Sequence, residues 1–251
     1  LITSTDIMGR VTVNVYDAGD NLVQVTANVW PGYPQNYLEM YNIVTQYGYD
    51  GVGHQVAITD TLGRVNLTLY DEFGRVVTRV VNYDGVTPQN LLCTDFSSPD
   101  PEHNICSLTE YDALGRTVAT TDSLGRINRT FYNDQGRVVG TIDNWSGSIT
   151  DVAGLSTCLD LPQNRDYDIC ILYGHDAVGN STVMTDTVGR LTRTFYDHLN
   201  RIEGMIMNWD GQTTLDDCLT LPAERDNKVC MRFGYDEVGN TIIITDTLGQ
   251  M

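Results

Sequence analysis

Residues 111–126 read YDALGRTVATTDSLGR, in which one short pattern occurs twice, ten residues apart. The pattern is Asp, two variable residues, Gly, and then Arg or Asn. An aspartate side chain can bond the backbone two residues further on, and glycine adopts the positive φ that tight turns require. Each copy is therefore predicted to be a turn. Each ten-residue period leaves about six residues between one turn and the next, which is the usual length of a β-strand.

The pattern recurs along the whole chain, and its spacings recur as well. Copies lie 10 and then 11 residues apart in three triplets, and an insertion follows each triplet. From Tyr49 through Tyr111 and His175 to Tyr235, the larger period is 62, 64 and 60 residues. The predicted turn residues are Asp60, Gly63, Asp71, Gly74, Asp112, Gly115, Asp122, Gly125, Asp176, Gly179, Asp186, Gly189, Asp236 and Gly239.

These periods predict one continuous repeat array over residues 1–251. The super-repeats are approximately 1–48, 49–110, 111–174 and 175–234, with a partial fifth at 235–251. We expect the chain to be a fragment of a longer one.

The segments between turns alternate as strands do. Val65 and Leu69 share one face, while Thr68 and Tyr70 share the other, and 126–132 and 190–196 follow the same alternation. No segment carries a sustained apolar period of 3.6 residues. The predicted fold is all-β, with tandem antiparallel β-hairpin repeats forming a β-solenoid or spiralling sheet and almost no helix. We further expect each turn arginine to pair with an aspartate on a neighbouring turn.

The tandem motif resembles the YD repeat of the RHS family. The best copies are Tyr111 to Arg116 with Thr121 to Arg126, and Tyr70 to Arg75 preceded by Thr59 to Arg64. The resemblance covers nearly the whole chain. It implies long β-hairpin sheets that spiral into a hollow shell or a rod, as in bacterial RHS proteins, toxin-complex shells and teneurins.

Six cysteines occur as one pair in each of the three later insertions. A local pairing is the simplest of the fifteen that six cysteines allow. Metal binding is the alternative, and it fits poorly because no Cys-x-x-Cys or adjacent histidine is present. Disulfides persist in oxidising surroundings, so the protein is predicted to be secreted or on a cell surface. The predicted disulfide residues are Cys93, Cys106, Cys158, Cys170, Cys218 and Cys230.

Aromatic residues accompany the insertions. The first insertion lacks cysteine and instead carries Tyr33, Tyr37, Tyr41 and Tyr47, which predicts aromatic packing, with a ligand platform as the alternative. An aromatic residue also precedes each insertion. We expect these residues to stack as a ladder beneath the loops, or alternatively to form a sugar-binding strip; they are Trp30, Tyr83, Trp145 and Trp209.

The sequence supplies no catalytic, cofactor-binding or metal-binding residue that we would assign, and an enzyme is not expected. The aspartates recur as turn formers, and their spacing does not match calcium loops with ligands at alternate positions. The four histidines follow no ligand spacing. Asn-x-Ser/Thr tripeptides are candidate N-glycosylation sites, although they also arise by chance in a chain rich in Asn and Thr; they begin at Asn66, Asn128, Asn144 and Asn180.

Charge restricts the partners. The chain carries 33 acidic against 15 basic residues, a formal net charge of -18, which opposes binding to nucleic acids. No apolar run approaches the ~18 residues of a membrane span. The expected partners are further repeats of the same chain or copies of itself joined end to end, and glycans are an open alternative.

Three functions agree with these features. A non-catalytic extracellular scaffold, as a segment of a cell-surface or extracellular fibre or filament, is favoured because regularly spaced disulfides suit a durable structure. The alternatives are a shell segment of a secreted RHS-type toxin or delivery protein, and an adhesin that binds carbohydrate.

Overall fold

The computed structural model describes residues 1–35, 40–85, 102–160, 166–220 and 228–246, without the side chains of 218–220. The predicted all-β class with antiparallel hairpins is confirmed: the described strands have 4 to 8 residues. The described helical segments are short, a 3₁₀ helix at Ala153–Asp160 and an α-helix, α1, at Leu215–Thr220. Both lie in insertions.

The chain forms two compact units, Leu1–Arg126 and Ile127–Met251. In the first unit, each strand pairs antiparallel with the next strand along the chain. Its strands are β1 (Ile2–Thr5), β2 (Val11–Tyr16), β3 (Leu22–Ala27), β4 (Ile43–Tyr49), β5 (Gln55–Thr59), β6 (Val65–Tyr70), β7 (Val76–Tyr83), β8 (Ile105–Tyr111) and β9 (Thr117–Thr121).

The second unit repeats this consecutive antiparallel pairing. Its strands are β10 (Ile127–Tyr132), β11 (Val138–Asp143), β12 (Ile169–His175), β13 (Ser181–Thr185), β14 (Leu191–Tyr196), β15 (Ile202–Met207), β16 (Val229–Tyr235) and β17 (Thr241–Asp246).

Consecutive antiparallel pairing places successive connections alternately on two edges of each sheet. On one edge, which we call the Tyr–Asp edge, described connections are turns of the Asp-x-x-Gly type or its variants. These are 17–21, 50–54, 71–75 and 112–116 in the first unit, and 133–137, 176–180, 197–201 and 236–240 in the second. The opposite edge, the Thr–Asp edge, carries turns 6–10, 60–64, 122–126 and 186–190 together with every insertion.

The two edges also differ in strand register. A β-bulge directly precedes each turn of the Tyr–Asp edge, as between Glu110 and Tyr111 or between Phe195 and Tyr196. Between β5 and β6 or β13 and β14, on the Thr–Asp edge, the register runs without a shift beside the turn. A bulge bends the strand and re-aims the side chain beside it. The bulge therefore sets the tyrosine apart from the regular alternation.

Buried side chains form small clusters, each around one cysteine of a strand that follows an insertion. The first unit has a cluster of Leu67, Val80 and Cys106. In the second unit, leucines of the insertions join the strand side chains. The two clusters there are Phe131, Ile142, Ile149, Leu155, Cys158 and Cys170, and Ile206, Leu215 and Cys230.

Candidate functional site

Each turn is built around the carboxylate of its first residue. Asp112 Oδ1 accepts hydrogen bonds from the Leu114 and Arg116 N–H groups, both at 2.9 Å, and Oδ2 accepts from Arg116 Nε at 2.6 Å. Gly115 has a φ of 80°, and its N–H donates to the Asp112 carbonyl. The same set of bonds occurs at Asp6, Asp60, Asp71, Asp122, Asp186 and Asp197.

Hydrogen bonds of this kind lower the pKa of the Asp112 and Asp197 carboxyl groups. For Asp112, the hydrogen bond from the Arg116 N–H is the largest cause of a pKa below the ordinary value. Desolvation of the carboxyl group raises the pKa, and the hydrogen bond from the Arg116 guanidinium lowers it further. For Asp197, the Arg201 N–H is likewise the largest cause of a lowered pKa. A carboxyl group with a lowered pKa is ionised near neutral pH. Each such carboxylate therefore serves as the acceptor around which its turn is built.

The expectation that each arginine pairs with a neighbouring turn is wrong for these described turns. Arg75 and Arg201 each meet the carboxylate of their own turn at 2.7 Å, four residues earlier. The tight turn brings its first and fifth residues opposite each other, with the Asp112 N–H donating to the Arg116 carbonyl. The guanidinium therefore reaches its own aspartate first.

Neighbouring turns of the Tyr–Asp edge are instead joined through tyrosine. The Arg75 guanidinium lies over the Tyr111 ring at 4.5 Å, and Arg201 lies over Tyr235 at 4.4 Å. The Tyr111 hydroxyl donates to the carbonyl of Val76, the first residue of β7, at 2.9 Å. Each such tyrosine thus connects its own turn to the exit of the turn before it.

The third super-repeat varies this arrangement. Asn133 stands where other turns have aspartate, and its Oδ1 accepts only from the backbone N–H groups of Gln135 and Arg137. Arg137 has no carboxylate at the first position of its turn, and it donates from Nη1 to the Asp176 carbonyl at 2.9 Å. The neighbouring turn here begins after His175, which replaces the tyrosine.

A pair of left-handed residues closes the base of each insertion, a feature that the sequence reasoning missed. Asn82 and Asn104 both have φ of 54°, and the Asn104 N–H donates to the Asn82 carbonyl. Asn82 Nδ2 donates to the Glu102 carbonyl at 2.6 Å, and Asn104 Oδ1 accepts from the Asp84 N–H. Equivalent pairs with positive φ are Asn28 with Asn42, Asn144 with Asp168, and Asn208 with Lys228.

We call each such pair of left-handed residues the neck of its insertion. One signal in the sequence could have revealed the necks. An asparagine directly precedes the aromatic residue in Asn82-Tyr83, Asn144-Trp145 and Asn208-Trp209. Asparagine is among the few residues that tolerate the left-handed region.

The third insertion is cross-linked to the sheet at its base. Cys158 and Cys170 form a disulfide with a Cα–Cα distance of 6.3 Å, and both are fully buried. Cys106 and Cys230 are also disulfide-bonded. Cys93 and the Cys218 side chain lie outside the described residues, as does Tyr37.

Leucines of the insertions lie on glycines of the sheet. Leu155, 5% exposed, sits so close to Gly140 that an added Cβ would lie 2.7 Å from the leucine Cδ1. Leu215 occupies the same place over Gly204. A strand glycine of this kind marks a close approach by another part of the chain. These two glycines allow the insertions to cover the sheet.

The indoles pack within their own super-repeats. Trp145 packs against the Ile142 cluster, its Nε1 donates to the Ile149 carbonyl at 2.7 Å, and the Arg129 guanidinium lies 4.5 Å from its ring. Trp209 repeats this arrangement with Thr213 and Arg193. These contacts match packing of the strand end beneath the loop.

In the first insertion, aromatic residues pack against one another. Tyr33 and Tyr41 stack with ring centroids 5.3 Å apart, and Trp30 meets Tyr41 edge to face at 5.5 Å. This is the contact expected to hold the loop that lacks a cysteine.

Two open clefts of the same design lie beside the Thr–Asp edge in the first unit. One, of about 530 Å³, is lined by Asp60, Arg64, Asn66 and Asn82 among others. The second, of about 450 Å³, lies at the corresponding place one super-repeat earlier and includes Asp6, Arg10 and Asn28. Because their polar groups already serve the turn or the neck, the clefts follow from the repeat architecture.

The four candidate glycosylation asparagines fall into two classes. Asn66 and Asn128 are exposed, and each uses its Oδ1 to accept from a backbone N–H. Asn144 donates from Nδ2 to the Asp166 carbonyl, and Asn180 donates from Nδ2 to Asp176 Oδ2 and Asn200 Oδ1. A sugar is attached at Nδ2, so modification of the second class would disturb a neck or a turn.

Within the described ranges, no three His, Cys, Asp or Glu side chains gather in a way that could hold a metal ion. His54 takes the arginine position of turn 50–54, bonds Asp50 at 2.9 Å and stacks on Tyr70. No described helix is long and apolar enough to cross a membrane.

Comparison with known proteins gives a likeness of fold. No family model matches the chain, and no curated protein matches it. Solved structures do match. The TcdB2–TccC3–Cdc42 crystal structure has a TM-score of 0.58 and 15% identity, over 94% of this chain and 11% of that chain. The chain shares the fold of a Tc toxin protein segment.

Two further structures agree. The Photorhabdus luminescens Tc holotoxin pore with a substituted TccC3 matches at TM-score 0.58 and 16% identity, covering 94% of this chain and 11% of that chain. TcdB2–TccC3 without its hypervariable C-terminal region matches at TM-score 0.58 and 14% identity, covering 95% and 11%. The chain thus spans about a ninth of the length of these Tc toxin chains.

Proposed function

We propose that the chain is a non-catalytic wall segment of an RHS-type shell in a secreted toxin or delivery protein. The observation that carries this proposal is the fold shared with Tc toxin chains over 94% of the chain. Matches to the same toxin system support the shell over the fibre that the sequence favoured.

The geometry suits a wall. Within each unit, every described strand pairs with its sequence neighbour, so the sheet grows by one hairpin after another. The turn aspartates are engaged by the backbone and side chain of their own turns, and among the described residues no cluster of His, Cys, Asp or Glu could hold a metal ion. Insertions are confined to the Thr–Asp edge, where they can vary without interrupting strand pairing.

The extracellular location belongs to the same proposal. Disulfides such as Cys158–Cys170 persist in oxidising compartments, and they are rare where cytosolic reductants act. The expected partners are further repeats and other chains of a multi-chain toxin assembly.

Negative-stain electron microscopy of the native protein tests the proposal. Closed hollow particles of uniform size are expected. Long rods of constant width would contradict the shell and restore the fibre.

A further inference from the structure

Two of the four Asn-x-Ser/Thr tripeptides occupy the same place in successive super-repeats. Asn66-x-Thr68 and Asn128-x-Thr130 each begin at the second residue of a strand, β6 or β10, directly after a turn of the Thr–Asp edge. Both asparagines are exposed, and Asn66 lines the open cleft of about 530 Å³ beside that edge. Both side chains are therefore accessible to a large substituent.

Each of these two side chains uses only the oxygen of its amide. Asn66 Oδ1 accepts from the Asn82 N–H at 3.1 Å, and Asn128 Oδ1 accepts from the Asn144 N–H at 3.2 Å. Neither Nδ2 atom donates to a residue in the described ranges. The oxygen thus holds the side chain at the neck, while the nitrogen, the atom to which a sugar is attached, stays available.

The bond to the neck does not by itself require asparagine. A hydroxyl or carboxylate oxygen also accepts from a backbone N–H, and Thr192 stands at this place in the fourth super-repeat. The hydroxyls of Thr68 and Thr130 take no part in the bond. The complete tripeptide, an amide followed two residues later by a hydroxyl, is the acceptor pattern of N-glycosylation in secreted proteins.

The other two tripeptides provide a contrast within the same chain. Both Nδ2 hydrogens of Asn180 are engaged, one by Asp176 Oδ2 at 2.9 Å and one by Asn200 Oδ1 at 3.1 Å. Asn144 is half-buried at its neck, and its Nδ2 donates to the Asp166 carbonyl on the returning side of the insertion. Attachment at Nδ2 replaces one of its hydrogens. A sugar would therefore break a turn bond at Asn180 and crowd the neck at Asn144.

The cysteines favour a compartment in which this modification takes place. Cys158 and Cys170 form a disulfide, and disulfides persist in the oxidising compartments through which secreted proteins pass. N-glycosylation of Asn-x-Ser/Thr requires the same export. The inference below therefore rests on the extracellular location proposed above, and it does not rest on closure of the sheet into a shell.

We propose that Asn66 and Asn128 carry N-linked sugars in the exported protein, whereas Asn144 and Asn180 do not. The Nδ2 nitrogen forms a bond to the anomeric carbon of a lipid-linked oligosaccharide, the bond from that carbon to the lipid pyrophosphate breaks, and one amide proton is released. The product keeps its Oδ1 acceptor, so the bonds from the Asn82 and Asn144 N–H groups survive. The sugar at Asn66 stands at the open cleft.

Peptide mapping of the native exported protein by mass spectrometry tests this assignment. Release of sugars by a peptide N-glycosidase in heavy-oxygen water converts each modified asparagine into a labelled aspartate. Label is expected at Asn66 and Asn128, and none is expected at Asn144 or Asn180. Unlabelled Asn66 and Asn128, or equal labelling of all four positions, would overturn the proposal.

The same digest without reductant separates this proposal from the extracellular location on which it rests. A peptide pair joined through Cys158 and Cys170, together with unlabelled asparagines, would remove the sugars and leave the location standing. Free thiols at both cysteines together with unlabelled asparagines would contradict both.

Substitutions at Thr68 separate the sugar from the bond to the neck. Thr68→Ala removes the hydroxyl that glycosylation requires and leaves the bond between Asn66 and Asn82, whereas the matched control Thr68→Ser retains both. In the same cells, Thr68→Ala should lose the sugar mass at Asn66 and keep that at Asn128, and Thr68→Ser should lose neither. Equal sugar mass at Asn66 in the two variants would contradict the assignment.

Discussion

A single carboxylate organises each turn. Asp60 Oδ1 accepts hydrogen bonds from two backbone N–H groups, and Oδ2 accepts one from the Arg64 guanidinium. The carboxylate thus satisfies three donors that would otherwise bond to water. The backbone bonds are fixed by the turn, whereas Arg64 is 58% exposed and its ion pair is screened by solvent. The acceptor function of the side chain should therefore matter more than its charge.

Substitutions at Asp60 separate these two contributions. Asp60→Asn retains the backbone acceptor, as Asn133 does in its own turn, and should cost less than about 1 kcal/mol of unfolding free energy. Asp60→Ala leaves two N–H groups to water and should cost about 1–2 kcal/mol. Urea denaturation measures both. Equal destabilisation by the two variants would mean that charge, not acceptance, holds the turn.

At this scale the sequence predicted the turns but not the direction of the arginines. The Asp-x-x-Gly pattern specifies a local conformation, and Gly115 adopts the positive φ that it predicts. Whether Arg116 reaches its own aspartate or a neighbour's depends on the distance across the turn, which the pattern alone does not state. The stacking of Arg75 on Tyr111 also joins residues 36 positions apart.

The insertions are ordered elements that fold back onto the sheet. Paired left-handed residues close each neck, and Leu155 or Leu215 then covers a strand glycine. The cysteine spacing indicated where the third loop is tied, and Cys158 does meet Cys170. The position of Leu155 over Gly140 could not be predicted, because it depends on how the loop returns to the sheet.

A methyl group added at Gly140 tests whether Leu155 packs tightly against the strand. Gly140→Ala would place its Cβ 2.7 Å from Leu155 Cδ1, so the leucine side chain must shift from its buried position, at a cost of about 1–3 kcal/mol. Gly174→Ala is the matched control: its Cβ would meet Val183 at an ordinary 3.5 Å. Thermal unfolding should show a lower midpoint for the first variant only. Similar unfolding midpoints for both variants would mean that Leu155 does not pack tightly against Gly140.

Removal of the Cys158–Cys170 disulfide tests how much this bond stabilises the third insertion. The double variant Cys158→Ala, Cys170→Ala opens a loop with a sequence separation of 12 and should lower the unfolding free energy by about 3 kcal/mol. Denaturant titration of the otherwise oxidised protein measures it. An unchanged midpoint would show that the neck alone holds the loop.

At the scale of the whole molecule, acid sensitivity follows from repetition. The pKa values of Asp60, Asp122 and Asp197 are lowered in the folded chain, so the unfolded chain binds more protons in acid. Their stabilising contribution is complete above the ordinary aspartate pKa near 3.8 and disappears as pH falls through the lowered values. The denaturation midpoint should thus stay level from pH 7 to about 5 and decline below about 4. A midpoint that rises as pH falls from 4 to 3 would contradict this.

Each sheet grows hairpin by hairpin in chain order, with tyrosine-linked turns on one edge and all insertions on the other. An electron cryo-microscopy map of the native protein at side-chain resolution tests it most directly. Density for Tyr111 is expected against Arg75, and the loops before β8, β12 and β16 are expected on a common edge within their own units. Strands paired out of chain order, or insertions emerging from both edges of one unit, would contradict it.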